Sequence, residues 1–516
     1  MKYTPTIGLE IHVELKTRTK MFCDSLNDPD EKRPNVNICP VCMGHPGTLP
    51  VANKEAVRKV LLVGKSLGGK LADYSRFDRK NYFYPDIPKG YQISQYKHPL
   101  VEGGELGGVE ITRIHLEEDT GKLAHAEDGS SSLVDFNRAG VPLMELVTEP
   151  CVKSGKEARR FGEELQLILR YLGASDAEME KGQMRVEVNI SLAEEPGTER
   201  TGKSASLGTV ITGKPTEAEL SSSFSKKLGT KVEIKNLNSF RAVERAIEYE
   251  IERQSALLEA GEKVKQETRG WDEGKQKTFS QREKEAAHDY RYFPEPDLPP
   301  LIISELGFDL SLPELPEEKR KRFKEKYGLK EEAVEVFVRD MAMGKFFESV
   351  VDYLVGKKSA SLGTGITGKP TEAEPLAAPV LLGANYIISD LNGLAKEKGV
   401  LFSDIKVNPE IFAKLITMTD KGAISSRGAK DVLKIMFEEG GDPEQIVKEK
   451  GLAQTSDDSF IKNIVEEVIN KNPAVTEDYR RGKEAALQFL IGQGMKFSKG
   501  KANPEVLKKF LKEKLQ

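Results

Sequence analysis

Residues 7–15 read IGLEIHVEL, and this stretch decides the class of the first half of the chain. Glu10, His12 and Glu14 fall at every second position, with Ile11, Val13 and Leu15 between them and after. Successive side chains point to opposite faces of a strand, so the stretch is a β-strand with one ionisable and one apolar face. The same alternation returns twice: Arg185, Glu187 and Asn189 alternate with Val186, Val188 and Ile190, and Lys231, Glu233 and Lys235 with Val232 and Ile234. Helical patterns lie among these strands. Ser154 and Glu157 form a capping box. Behind it Ala158, Phe161, Leu165, Ile168, Leu169 and Leu172 recur at helical spacing up to a stop at Gly173. A longer helix starts at Ser239, buries Phe240, Val243, Ile247 and Ile251, and stops at Gly261.

The run PEPDLPP at 294–300 breaks this pattern. Proline has no N–H to donate and restricts the residue before it, so a boundary is placed there. Beyond it the chain reads as almost all helix, with Asn408-Pro409 and Asn503-Pro504 each supplying an N-cap and a first-turn proline, and Gly440-Gly441 ending a helix. The expected class is α+β: a mixed α/β cradle domain over 1–294, a helical domain over 295–405 and a small all-helical tail domain over 406–516. An internal repeat cuts across this plan. KSASLGTVITGKPTEAE at 203–219 and KSASLGTGITGKPTEAE at 358–374 differ only at Val210 against Gly365. Solenoid repeats recur at a short regular period, so two distant near-copies read as one inserted element written twice, over 203–229 and 358–383. The first falls where a hairpin turn between two strands belongs.

The 516 residues suffice for two to four domains, and 38% hydrophobic against 31% charged residues suits a globular protein with a polar surface. No apolar run is long enough to span a bilayer, and residues 1–14 do not read as a secretory signal. Four cysteines are too few for a disulfide scaffold, and a reducing cytosol fits them. The net charge of −4 does not exclude nucleic acid, because residues 477–516 carry ten Lys or Arg against five Asp or Glu. A run of this kind is ordinarily a solvated helix face.

Several groups can carry chemistry. Glu10 and His12 share a strand face, RIHLEED at 113–119 adds a dense acidic cluster, and Glu145 and Glu149 follow in PLMELVTEP. Carboxylates with an imidazole make a hard, oxygen-rich set that suits Mg²⁺ better than Zn²⁺, and Mg²⁺ points to phosphate chemistry. Each acid taken alone reads more readily as a surface charge or salt-bridge partner, and no GxxxxGK[ST] loop is present to prove ATP use. FDRKNYFYPD at 77–86, followed by Lys89 and Tyr91, crowds cations with aromatics. Such a segment either stacks on unpaired nucleotides or forms an aromatic core edge with snorkelling cations. Cys39-Pro40-Val41-Cys42 with Cys23 upstream offers three thiols, and Ser25 stands where a fourth thiol would make a C-x-C pair. Two readings stand side by side: a Cys₃His zinc site completed by His45, or buried cysteines without metal.

IGLEIHVEL, FDRKNYFYPDIPKGYQISQY, HLEEDTGK, VDFNRAGVPLMELVTEP, EIKNLNSFRAVERAIEYE and HDYRYFPEPDL closely resemble the B subunit of the tRNA-dependent amidotransferase. KGAISSRGAKDVL and FLIGQGMKFSKGKANP resemble the same family, so the likeness covers nearly the whole chain. It implies a cradle, a helical domain and a tail, assembled in a heterotrimer with an amidase (A) subunit and a small C subunit. The implied reaction uses ATP and Mg²⁺ to phosphorylate the side-chain carboxylate of glutamate on tRNA(Gln) or aspartate on tRNA(Asn). Ammonia from the amidase then displaces phosphate to leave the amide. By resemblance Glu10, His12, Glu118 and Glu145 match the Mg²⁺ and nucleotide site, and Lys80, Tyr82 and Lys89 line the route for ammonia and the reacting end of the tRNA. The basic tail would contact the tRNA body.

Two departures stand out. Some members carry a complete C-x-C plus C-x-x-C zinc set, which Ser25 interrupts here. Members also run directly from a Gly like Gly202 to a Thr-Lys like Thr230-Lys231, and from near Lys357 to Ala384-Asn385, so both near-copies read as insertions. Two rival readings are a catalytically silent tRNA-binding scaffold of the same complex and a stand-alone metal-dependent ligase for a free amino acid. The presence of Glu10, His12, Glu118 and Glu145 speaks against the first. The lack of an amidase nucleophile motif and the basic tail speak against the second.

Overall fold

A computed structural model of the chain describes residues 3–126, 128, 130–194, 228–283, 291–356, 378–454, 458–498 and 500–515. The chain divides into two compact units, Met1–Leu315 and Pro316–Gln516. Among the described residues no helix is long and apolar enough to cross a membrane.

The first unit is built on one large sheet. Its strands include β1 (Tyr3–Glu14), β4 (Val109–Glu118), β5 (Pro142–Thr148), β6 (Met184–Glu194), β7 (Val232–Leu237), β8 (Glu267–Asp272) and β9 (Lys277–Glu283). A smaller three-stranded sheet holds β2 (Asp78–Asn81), β3 (Tyr91–Ser94) and β10 (Arg291–Pro294) in the order β10-β2-β3. The large sheet runs β9-β8-β7-β6-β1-β5-β4 and then through the short strands Val101–Glu102 and Lys70–Leu71. The first strand of the chain therefore lies inside the sheet, paired antiparallel with β5 on one side and β6 on the other. Its burial alternates as the sequence requires, with Ile7, Leu9, Ile11, Val13 and Leu15 buried and the polar positions half-buried.

The apolar face packs against helices α1 (Lys54–Ser66), α2 (Gly155–Tyr171) and α3 (Phe240–Glu259) in a single core. At α2 Ser154 is the N-cap, and the Glu157 carboxylate reaches back one residue further than a capping box requires. The Ser154 hydroxyl accepts from the Glu157 amide at 3.2 Å, while the Glu157 carboxylate accepts from the Lys153 amide at 2.8 Å. Gly173 adopts φ +60° beyond the end of α2, a conformation that glycine takes without strain. Strands β6 and β7 are antiparallel neighbours, as expected of a hairpin. The whole of the first near-copy, 203–219, lies outside the described residues, as does the whole of the second, 358–374.

The proline run does not end the first unit. It stops β10, but the chain beyond it stays packed on the same core. Leu298 is buried there, Leu301, Ile303, Leu306, Phe308 and Leu310 pack against it, and Leu301–Ile302 pairs with Tyr74–Ser75. Loss of a backbone donor ends a strand; it does not remove the apolar side chains that follow. The compact unit thus continues 21 residues past the expected boundary at 294, to Leu315.

The second unit is helical throughout its described length. Phe323, Tyr327, Phe337 and Phe347, from the helices Pro316–Tyr327, Glu331–Arg339 and Met341–Leu354, form a group in which Phe323 and Phe347 touch each other and both of the other rings, at centroid distances of 4.5–6.2 Å. The expected division at 405 falls inside this unit, because Phe412 on the helix Pro409–Asp420 meets Phe346 at 5.6 Å. Asn408 caps that helix and Pro409 opens it. The final helices gather a core of their own around Ile461, Val465, Leu490, Leu507 and Leu511.

Candidate functional site

Register places the ionisable groups. Arg185 on β6 opposes His12 on β1, His12 opposes Glu145 on β5, and Glu145 opposes His115 on β4. Directly opposed residues share a face, so these four form one row across four strands. The neighbouring rows bring Glu10 and Glu187 on one side and Glu117 on the other. His12 Nε2 lies 3.4 Å from Glu145, 3.7 Å from Glu10 and 3.9 Å from Glu117. His115 Nε2 lies 3.3 Å from Glu145 and 3.8 Å from Glu117. Two overlapping groups result, Glu10–His12–Glu145 and His115–Glu117–Glu145, each with its ligand atoms within 4.8 Å of one another.

The charges are interdependent. Burial disfavours the imidazolium at His12 and His115, yet hydrogen bonding and charge from Glu145 and Glu117 raise both to about 9. Burial would raise Glu145, but the two imidazoles hold it well below the usual carboxylate range. Glu117 is likewise lowered against its burial, chiefly by Lys80. Glu10 is raised by burial and by the charges of Glu145 and Glu187. The buried His115 ring has an Nδ1 without a hydrogen-bond partner. Carboxylates and imidazoles of this kind, separated by little more than twice a Mg–O bond of about 2.1 Å, fit a single hard divalent cation.

Glu118 does not belong to this set. It follows Glu117 on the same strand, and adjacent strand residues face opposite ways. Its carboxylate accepts from Lys89 Nζ at 2.6 Å and from the Ile93 amide at 2.9 Å. Of the expected set Glu10, His12, Glu118 and Glu145, the fold brings Glu10, His12 and Glu145 together with Glu117 and His115 beside them, and sets Glu118 against Lys89. Both added residues stand in RIHLEED, where three successive acids hide the alternation. Glu149 also stands apart, accepting from the Thr112 hydroxyl at 2.7 Å.

Lys80 and Tyr82 lie on the carboxylate side. In the small sheet Tyr292, Lys80 and Gln92 are cross-strand neighbours, and one step along this face the Ser94 hydroxyl donates to Glu117 at 3.0 Å. Burial lowers Lys80, but Glu117, Tyr292 and Glu145 outweigh it and raise it. The Tyr82 hydroxyl donates to Gln92 at 3.2 Å, and Gln92 donates to the Glu118 carbonyl at 2.7 Å, linking the two sides. The aromatic segment is divided in its duties: Phe77 is core, Arg79 is gripped by Glu295, and Phe83 is 87% exposed.

The Lys89–Glu118 pair lines a cavity of about 210 Å³ together with Cys23, Cys42 and His45. The sulfurs of Cys23, Cys39 and Cys42 come within 4.8 Å of one another, as their spacing suggested. His45 is not part of that group, because its ring does not come within this distance of all three. Lys20 Nζ donates to Cys42 at 3.7 Å, and the Ser25 hydroxyl lies 4.0 Å from the same sulfur. His45 lines the same cavity as Cys23 and Cys42 without joining the three sulfurs, and the polar groups beside Cys42 are Lys20 and Ser25.

A polar row of carboxylates and imidazoles inside a mixed sheet, followed by a helical unit, defines the class. The GatB/GatE catalytic domain matches residues 5–211 and 216–308, and the GatB domain matches 378–515. Full-length similarity extends this. Three relatives are B subunits of the aspartyl/glutamyl-tRNA(Asn/Gln) amidotransferase. The chain is 43% identical to that of Caldicellulosiruptor saccharolyticus, 44% to that of Persephonella marina and 43% to that of Thermotoga maritima, with all of each chain covered. It belongs to the GatB family of amidotransferase subunits.

Proposed function

We propose that this chain is the tRNA-handling kinase subunit of a glutamyl/aspartyl-tRNA amidotransferase. In this reading ATP phosphorylates the side-chain carboxylate of glutamate on tRNA(Gln) or aspartate on tRNA(Asn), and ammonia displaces the phosphate. The observation that carries it is the cross-strand row His12–Glu145–His115 with Glu10 and Glu117 beside it. Glu10, His12, Glu117 and Glu145, with His115 at the edge, would hold Mg²⁺, which supplies charge neutralisation on the phosphates. The names of the relatives support the tRNA substrates and a multisubunit assembly; in this reading the partners are an amidase (A) subunit and a small C subunit.

The chain's own groups divide the remaining work. A carboxylate is a poor acyl donor because its leaving group would be oxide, and phosphorylation replaces it with a good one. Lys80, set between Glu117 and Glu145, presents an ammonium to the incoming anion. Lys89 and Glu118 hold a charged, hydrogen-bonded entrance at the adjoining cavity, a route for ammonia sheltered from bulk water. The basic tail meets the tRNA body through its backbone and shape. The test is ATP-dependent amide formation by the assembled complex on Glu-tRNA(Gln) and Asp-tRNA(Asn). A Glu145→Gln complex that amidates either tRNA at the normal rate overturns the assignment.

A further inference from the structure

On the polar face of the large sheet most cations have a close carboxylate. Arg185 donates to Asp119 at 3.0 and 3.1 Å, and Lys235 meets Glu187 at 2.8 Å. Arg113 is different. Its Nε is buried without a hydrogen-bond partner, and its ion pair to Glu145 is a loose 3.8 Å from Nη2. A buried donor left unmade costs about 1–3 kcal/mol, so a guanidinium held only by this loose ion pair gains by turning its solvent-reached end toward an acceptor from outside the chain.

Its place in the register says what that acceptor is. Arg113 opposes Val147, and Val147 opposes Glu10. A short apolar side chain thus separates the guanidinium from a candidate metal ligand, across two strand spacings, about 10 Å between backbones. The Glu145 carboxylate that Arg113 grazes is the one shared by His12 and His115. The side chain is 34% exposed, so it can meet a ligand from solvent. A planar fork of N–H donors matches phosphoryl oxygens, and an anion held by a divalent cation at Glu10 and Glu145 would lie over Val147 within its reach.

We propose that Arg113 is a catalytic residue that binds the transferring phosphoryl group; this rests on the kinase reading given above. In the step, a bond forms between the substrate carboxylate oxygen and the terminal phosphorus of ATP. The bond from that phosphorus to the β–γ bridging oxygen breaks, and ADP leaves with the electron pair. No proton moves. Charge spreads over the three non-bridging oxygens, and the guanidinium meets it there.

The test uses the assembled complex with Arg113→Met and Arg113→Lys. Four quantities are measured: affinity for ADP, affinity for β,γ-imido-ATP, Mn²⁺ binding, and ADP release with Glu-tRNA(Gln) or Asp-tRNA(Asn). For Arg113→Met, ADP release falls about 100-fold or more, as for loss of a donor to developing negative charge. Imido-ATP binding weakens more than tenfold, while ADP and Mn²⁺ binding stay within threefold. Arg113→Lys, which keeps the charge without the fork, lies between; should the methionine variant not fold, the lysine variant decides by the same ratios. Equal weakening of ADP and imido-ATP overturns the proposal, as does a rise only in KM for the aminoacyl-tRNA, which would place the substrate carboxylate on Arg113 instead. A wild-type complex that releases no ADP with either tRNA sinks the kinase reading itself; a wild type that does so, matched within threefold by Arg113→Met, sinks only the role of Arg113.

Discussion

Glu117 and Glu118 are adjacent acids with opposite surroundings, and exchanging each for glutamine separates two roles that the sequence merges. Glu117→Gln removes a charge from the group holding His12, His115 and Lys80. Loss of one charged ligand weakens Mn²⁺ binding by about 100-fold, or roughly 2.8 kcal/mol. Glu118→Gln strands Lys89 instead. That pair is 13% and 5% exposed at 2.6 Å, and breaking a buried pair costs about 3–5 kcal/mol. The two donors sit on different carboxylate oxygens and glutamine has only one, so one donor keeps an acceptor while the other meets the amide NH₂, and a loss in this range is expected. The assays are Mn²⁺ titration followed by electron paramagnetic resonance, and chemical denaturation of the same samples. Glu117→Gln should lose metal, whatever its effect on stability; Glu118→Gln should lose stability and keep the metal within threefold. A Glu118→Gln chain that binds Mn²⁺ as poorly as Glu117→Gln refutes the face assignment.

Arg79→Ala leaves the buried Glu295 carboxylate without its two 2.7 Å donors and should destabilise the first unit by about 3–5 kcal/mol, with Glu295→Gln in the same chain restoring part of it in urea titrations. Gly155→Ala sets a Cβ 2.4 Å from the Glu244 carbonyl oxygen between α2 and α3, so a loss of about 1–3 kcal/mol is expected by the same measurement. The Cys42 thiol is held below the ordinary range by a hydrogen bond from the Cys23 thiol, against its burial, with the Lys20 ammonium adding to the effect. In metal-free protein it should react with iodoacetamide at neutral pH ahead of Cys23, and Lys20→Met should slow it; labelling that begins only near the usual thiol value would contradict this.

Much of the site can be read from residues 7–15 alone, because a period of two assigns faces without knowledge of partners. It puts Glu10 and His12 on one face, and the fold brings Glu145 to them. The place of Glu118 is not legible, since EED offers three carboxylates in succession and only the pairing of Leu143 with Glu117 and of Pro142 with Glu118 reveals which one turns inward. His45 is obscured for a similar reason: sequence distance from Cys42 cannot say where a ring in a turn points. Strand alternation, helix caps and the hairpin partners β6 and β7 are local signals and are visible. That β1 lies between β5 and β6, or that residues after the proline run return to the first core, depends on contacts between distant segments, which leave no periodic trace.

The central position of β1 also sets a timetable for the protein's birth. Glu10 leaves the ribosome roughly 180 residues before its partner Glu187, an interval of about 10–40 s at usual synthesis rates. Until β5 emerges the nascent strand has an apolar face and two unpaired backbone edges, and the edge that β6 will cover stays open to the end of the interval, the pattern that invites intermolecular pairing. The growing chain has to shelter that segment, in a chaperone or in transient collapse onto α1, until β5 and β6 arrive. Pulse-labelled nascent chains halted before residue 140 should accordingly be captured by chaperones, and those halted well beyond residue 240 released.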